Sequence, residues 1–276
     1  MPISDLCVFQ NRGVIDTVVW VDSPSELRQV LKAYPQCYVI GKGSNTVINP
    51  DTAISCFVRL SNQFQASTNE TDPLLIDASA SVPQLLKRCQ DAEMTGLEFC
   101  AGVPATVGGM IAMNFGCWGQ SMADRVKRVQ VMTREGEIMW LTPEECRFSY
   151  RNSIFLESRA VILAVLFDTV SATAQEVKRL AHHNIPRRLD SQPLRAKTFG
   201  SVFKNPTGHF AGQLIESVGF KGQTIGPIRI SEMHANFFEN IGEATFSDLM
   251  TVIEKIKASV YQQHNIQLEL EVQLIS

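Results

Sequence analysis

Apolar residues recur along the chain with two different periods. Leu27, Val30 and Leu31 stand at helical spacing behind Ser23, Pro24 and Glu26. A serine followed three residues later by a glutamate, with proline in the first turn, forms a capping box and predicts a helix from Pro24. Cys37-Tyr38-Val39-Ile40 reads as a short buried strand. The polar turn Gly41-Lys42-Gly43-Ser44-Asn45 follows, and Thr46-Val47-Ile48 resumes extended structure. Leu74-Leu75-Ile76-Asp77 predicts another strand, and the stretch after Ser81 a helix ending near Gly96. Residues 125–141 have the pattern of a hairpin turning at Glu135-Gly136. Thr142-Pro143-Glu144-Glu145 repeats the cap-and-acid signature of a helix start. Residues 161–170 are almost continuously apolar, as a strand covered on both faces requires.

Residues 171–193 predict a helix followed by a polar, basic stretch, and this is where the pattern places the domain boundary. Beyond it come a loop around Gly200-Ser201, a helix from about Phe210 to Val218 stopped by Gly219, and a strand at Ala235-Asn236-Phe237-Phe238. The longest helix runs from about Phe246 to Gln262. Residues 267–275 alternate, with Leu268, Leu270, Val272 and Leu274 on one face and Glu269, Glu271 and Gln273 on the other. There is no internal repeat and no low-complexity tract. The fold class is α+β in two modules, 1–170 and 171–276, with the last strand a candidate to return to the first module.

The chain has 276 residues, 45% of them hydrophobic and 19% charged, which is ordinary globular composition and disfavours extensive disorder. A net charge of −3 supplies no basic field for nucleic acid. No apolar run approaches the roughly 20 residues needed to span a bilayer, and the start of the chain does not read as a signal peptide. The seven cysteines form no C-x-x-C pair, which fits isolated thiols in a reducing cytoplasm better than disulfides or zinc. The five histidines show no metal spacing, and no metal is expected.

Two glycine segments carry candidate chemistry. Gly41-Lys42-Gly43-Ser44-Asn45 lets backbone N–H groups converge on a phosphate, although a tight turn between strands explains it equally well. It matches neither a Walker loop nor a dinucleotide fingerprint. Ala101-Gly102-Val103-Pro104-Ala105-Thr106-Val107-Gly108-Gly109, leading to Met113-Asn114-Phe115-Gly116, offers a helical turn beginning at Pro104 whose free N–H groups favour an anion. The competing reading is a crowded helix–sheet contact. Two such segments in one module suggest a large dinucleotide. Arg151, in the turn Tyr150-Arg151-Asn152-Ser153, is either a surface residue or a fixed guanidinium for a carboxylate. Gly200-Ser201-Val202-Phe203-Lys204-Asn205-Pro206 gathers Ser, Lys and Asn in a loop, which turn chemistry explains as readily as ligand binding. Glu271, taken alone, fits the solvent face of an edge strand.

Taken in order, these segments, with His234-Ala235-Asn236-Phe237 and Leu268-Glu269-Leu270-Glu271-Val272, resemble the flavin-dependent UDP-N-acetylenolpyruvoylglucosamine reductases, the MurB family. The likeness runs from about Gly41 to the C-terminus. It implies an N-terminal FAD module of the vanillyl-alcohol-oxidase (PCMH) type and a C-terminal α+β substrate module. FAD would be cradled by Gly41, Lys42, Gly43, Ser44, Asn45 and Thr46, and by Gly102, Val103, Pro104, Thr106, Val107, Gly108, Gly109, Met113, Asn114 and Gly116. The family reduces UDP-N-acetylenolpyruvoylglucosamine to UDP-N-acetylmuramate with NADPH, a cytoplasmic step of peptidoglycan precursor synthesis. By likeness Arg151 and Glu271 stabilise the charge that develops on the substrate carboxylate, and Ser201 delivers the proton. Tyr150, Lys204 and Asn205 would face substrate, and Arg187 or Arg188 its diphosphate. The expected partners are that nucleotide sugar and NADPH, with no nucleic acid or membrane, and the expected state is a monomer.

The chain departs from the family at its start. Phe9-Gln10-Asn11-Arg12-Gly13 stands where a Thr-Phe motif, often followed by Arg-Ile-Gly-Gly, is usual. The spacing between Phe155 and Gly200 resembles the compact subgroup without a long substrate-capping tyrosine loop. The alternatives are another flavin oxidoreductase of this fold and a non-catalytic binder of the UDP-sugar.

Overall fold

A computed structural model of the chain describes residues 1–66 and 71–276. The chain forms two compact units. An internal unit comprises Thr17–Gly41 and Cys56–Arg187, and a terminal unit comprises Met1–Asp16, Lys42–Ser55 and Arg188–Ser276. The units divide at 187/188, and two early segments sort with the C-terminal residues. The physical reason is the last strand, Gln273–Ile275. It pairs in parallel with Thr46–Ile48 (Leu274 opposite Val47) and draws that early segment out of the surrounding module.

The internal unit opens as strand, helix, strand. Thr17–Val21 and Tyr38–Val39 flank Cys56–Leu60 in a parallel sheet. The helix Pro24–Ala33 packs Leu27 and Leu31 onto this sheet's apolar cluster, which includes Val21 and Val58. Each such buried leucine is worth about 1.5–3 kcal/mol. Ser23 caps the helix by accepting from the Glu26 N–H, while the Glu26 carboxylate reaches the N–H of Asp22.

The larger sheet runs in the order Ile138–Leu141, Val126–Met132, Val161–Phe167, Leu75–Asp77, antiparallel throughout. Its strand Val161–Phe167 is buried at every residue, because Ile162, Val165 and Phe167 face one core and Val161 and Leu163 the other. The predicted hairpin turns at Gly136, whose N–H donates to the Thr133 carbonyl. The helix Val82–Asp91 ends earlier than expected. Ala92 caps it, Glu93 turns left-handed (φ 55°), and Met94–Thr95 pairs instead with Val170–Ser171. Thr142 and Glu145 form their reciprocal cap, but only a single turn follows. Cys56, Cys89 and Cys146 lie in the interior, where burial raises their thiols to about 11, 12 and 12.

In the terminal unit the helix Phe246–His264 starts at a Thr245/Asp248 capping box and buries Leu249, Val252, Ile253, Ile256 and Val260. Against that core lie the helix Ala211–Ser217 and an antiparallel meander of Thr224–Ile225, Ile228–Ile230 and Phe238–Asn240. The meander strand begins at Phe238 rather than Ala235, because residues 235–236 form a turn. The alternation expected over residues 267–275 breaks at Glu271. Val272 and Ile275 are buried while Leu274 is only half-buried, so the final strand is confined to Gln273–Ile275. The N-terminal segment packs into this unit through Phe9, whose ring lies 4.9 Å from Phe199, and Asn240 donates to the carbonyls of Phe9 and Gln10.

Candidate active site

The first glycine segment is where the chain leaves one sheet for another. Tyr38–Val39 pairs with Cys56–Leu60, whereas Thr46–Ile48 pairs with Gln273–Ile275, so the segment is not a hairpin turn. Gly43 adopts φ +63° and lies so close to the chain that a Cβ would stand 2.1 Å from the Leu6 carbonyl oxygen. Val8 donates to the Gly43 carbonyl at 3.0 Å, and Gln273 to that of Asn45 at 2.9 Å. The loop thus rests on its carbonyls. Among the described residues the N–H groups of Lys42, Gly43, Ser44 and Asn45 have no protein acceptor. Four successive unspent N–H groups around a left-handed glycine fit a diphosphate. The Asn45 side chain donates to the Glu271 carbonyl at 3.2 Å.

The second segment is built in the opposite way. Its helix is Val107–Ala112, capped by Thr106, so Pro104 lies ahead of the cap and does not begin the turn. The Val107 and Gly108 N–H groups donate to the carbonyls of Ala80 and Ala78, and Gly109 donates to Thr106 Oγ1. The free N–H groups expected at this turn are therefore used inside the protein. A Cβ on Gly108 would lie 2.9 Å from Ala78 Cβ, which is the crowded helix–sheet contact. Gly41 approaches the same helix start, its would-be Cβ 2.6 Å from Thr106 Oγ1. Val103 and Met113 take part in local turns. Gly116–Cys117 pairs with Gln120–Ser121, and Gly102 is left-handed.

Asn114 was expected at the cofactor, yet both ends of its amide serve the protein. Nδ2 donates to the Ser149 carbonyl at 2.9 Å, and Oδ1 accepts from the Ala123 N–H at 3.0 Å. Arg151 is half-buried in the turn beyond Ser149, with φ +55°. Its Nη2 donates to the Gly116 carbonyl at 2.8 Å, and the guanidinium carbon lies 5.7 Å from the Phe115 ring and 5.3 Å from that of Tyr150. It is therefore a held cation rather than a loose surface residue. Tyr150 is 53% exposed. Of the two candidate arginines further on, Arg188 is buried and reaches Gln192 at 3.4 Å, while Arg187 is exposed with its guanidinium 4.4 Å from the Trp118 ring.

In the terminal unit, residues 201–204 run between two other segments. On one side Ser201 bridges to Phe237, and Val202 donates to the Asn236 carbonyl. On the other, Glu271 donates its N–H to the Val202 carbonyl at 2.8 Å, and Lys204 donates to that of Glu269. Glu271 thereby pairs with the residue next to Ser201 across adjacent extended segments. Lys204 Nζ lies 3.7 Å from Glu269 Oε2. Asn205 is exposed, and its Oδ1 accepts the N–H of Ala211.

Sequence reasoning assigned no role to Asn236, which is buried and grips Phe203 at both its N–H (3.0 Å) and its carbonyl (2.8 Å). An asparagine inside the apolar run 235–238 was the available signal, since a buried amide demands partners. Asn236 is itself held by its N–H donating to His234 Nδ1, and burial lowers the pKa of that imidazole. Among the described residues no cluster of His, Cys, Asp or Glu forms a metal site, and no helix is long and apolar enough to cross a membrane.

Comparison with known proteins agrees with this construction. Residues 15–142 match the model of an FAD binding domain, and residues 192–275 match that of the UDP-N-acetylenolpyruvoylglucosamine reductase C-terminal domain. Fold and site thus define an α+β flavin oxidoreductase with an N-terminal FAD domain of the PCMH type. The chain is 33% identical over 99% of its length to the UDP-N-acetylenolpyruvoylglucosamine reductase of Alkaliphilus oremlandii, covering 91% of that protein. It is 34% identical to that of Clostridioides difficile, again over 99% of the chain and 91% of the relative. The crystal structure of the Thermus caldophilus reductase (MurB) superposes with a TM-score of 0.85 at 29% identity, over 100% of this chain and 98% of that one. The chain belongs to the UDP-N-acetylenolpyruvoylglucosamine reductase family.

Proposed function

We propose that this protein reduces UDP-N-acetyl-3-O-(1-carboxyvinyl)-glucosamine to UDP-N-acetylmuramate, using NADPH and non-covalently bound FAD. The observation that carries this reading is the hydrogen bond from the Glu271 N–H to the carbonyl of Val202, the residue next to Ser201, and, separately, a guanidinium already held at Arg151. FAD, when bound, would supply the hydride-transfer chemistry between NADPH and the enolpyruvyl group. Lys42, Gly43, Ser44 and Asn45 hold its diphosphate through their unspent N–H groups, with Gly41 and Thr46 shaping the loop's ends. Gly102, Val103, Pro104, Thr106, Val107, Gly108, Gly109, Met113 and Gly116 form a wall against it.

Hydride addition leaves negative charge on the substrate carboxylate as an enolate-like species. Arg151 meets that charge with a guanidinium whose approach is set before substrate arrives, so little reorganisation is needed during reaction. Glu271 lies beside the same carboxylate as a proton-bearing acid. The Ser201 hydroxyl delivers the proton to the adjacent carbon, a task that depends on exact placement because a neutral hydroxyl is a weak acid. Tyr150, Lys204 and Asn205 line the substrate, and an arginine at 187 or 188 meets its diphosphate. Cofactor binding falls to residues 1–170 and substrate binding to 171–276, a division by task that differs from the division into compact units. The protein acts as a cytoplasmic monomer in peptidoglycan precursor synthesis, and so in cell-wall biogenesis, cell shape and division.

The test is visible absorbance of the flavin without oxygen, as NADPH and then the enolpyruvyl substrate are added. Bleaching followed by recovery is expected. Bleaching without recovery would mean another acceptor, and no flavin band would leave a nucleotide-sugar binder. Ser201→Ala is expected to leave bleaching nearly intact and slow recovery by about 10²–10⁴-fold.

A further inference from the structure

The turn that carries Arg151 is tied to the second glycine segment at three successive points. Ser149 and Asn152 exchange backbone hydrogen bonds at 3.0 and 3.2 Å, closing the turn around Tyr150 and Arg151. At its entrance Asn114 Nδ2 donates to the Ser149 carbonyl at 2.9 Å. At its tip Arg151 Nη2 donates to the Gly116 carbonyl at 2.8 Å. At its exit Ser153 Oγ donates to the Ala112 carbonyl at 2.6 Å. Asn114 also fixes the other flank, because its Oδ1 takes the Ala123 N–H at 3.0 Å.

Asn114 therefore sits two residues from the carbonyl that Arg151 uses, and its side chain sets the spacing between that carbonyl and the turn. It is buried, with φ +40°, a conformation that asparagine tolerates better than most residues. Arg151 is left-handed as well, and such geometry persists only where its surroundings over-determine it. Ser153 is also buried, so water does not readily replace either side-chain bond.

We propose that Asn114 is the positioning residue of the Arg151 guanidinium, with Ser153 as its counterpart at the far end of the turn. This rests on the reading that Arg151 meets the substrate carboxylate. Asn114 has no contact with the reacting atoms. It keeps the turn from rotating about Gly116, so that the guanidinium presents one face and one distance.

The experiment uses the holoenzyme. Asn114→Asp keeps the acceptor for Ala123 but loses the donor to Ser149, and Asn114→Gly loses both while tolerating the left-handed backbone. Ser153→Ala tests the other tie and is the milder change. Flavin content and NADPH bleaching are expected within about two-fold of wild type, while recovery on the enolpyruvyl substrate slows about 10- to 100-fold, the scale of a cation misplaced by about 1 Å. The loss is expected in the maximal rate rather than in the half-saturating substrate concentration. Asn114→Gly combined with Arg151→Ala should be no slower than Arg151→Ala alone, since both act through one group. Loss of flavin, equal slowing of both half-reactions, an additive double variant, or wild-type recovery in all three single variants would overturn the proposal. If Arg151→Ala itself recovers at the wild-type rate, the role assigned to Arg151 fails instead, a different and distinguishable result.

Discussion

The two glycine segments look alike as strings and are built as opposites. Around Gly43 the carbonyls of Gly43 and Asn45 are taken by Val8 and Gln273, and the N–H groups of residues 42–45 are left over. Around Gly108 the N–H groups are consumed by Ala78, Ala80 and Thr106, and what remains is a set of carbonyls and an amide that organise Arg151. Glycine in the first place serves a backbone conformation and a donor array. In the second it serves close packing. The same residue type leaves N–H groups spare in one segment and lets helix and sheet approach closely in the other.

The sharpest way to break this comparison is Arg151→Ala. If the second segment serves the cation, recovery of the flavin by substrate should slow about 10²–10³-fold while flavin stays bound. A protein purified without flavin would show instead that Arg151 is needed to hold the cofactor. Gly43→Ala is expected next in size. A side chain there meets the Leu6 carbonyl at 2.1 Å and a left-handed φ, so stability should fall by about 3 kcal/mol. FAD affinity should fall beyond that loss, as titration of refolded apoprotein would measure. Gly108→Ala presses on Ala78 and should cost about 1–3 kcal/mol in denaturant unfolding.

The smallest effect concerns acid. Burial depresses the His234 pKa, so this group is neutral in the fold and takes up a proton more readily when unfolded. Its contribution is complete above the unfolded value of about 6.5 and is lost as pH falls from there through the folded value. Melting temperature should therefore drop between pH 7 and 5 by more in the wild type than in His234→Gln. An equal drop would remove His234 from the account.

Much of the architecture was legible. The helix at Pro24, the hairpin at Gly136, the doubly covered strand Val161–Phe167 and the long helix from Phe246 follow from local period and caps, which act over a few residues. The early end of the helix Val82–Asp91 was not legible, because the pairing of Met94–Thr95 with Val170–Ser171 is a long-range contact. Nor was the break at Glu271, since both faces of residues 267–275 look usable until Val202 and Asn45 claim its backbone.

By itself the sequence determined the family, because Arg151, Ser201, Glu271 and the two glycine segments stand in its order, and it offered them as candidates for the chemistry. Tertiary structure alone decided what each group does with its hydrogen bonds. Whether the N–H of Gly108 is spent or spare, and whether Asn114 faces a ligand or the carbonyl of Ser149, depends on partners about 30 or more residues away in the chain. A backbone donor is chemically identical at every position, so its availability is a property of its surroundings and not of its letter.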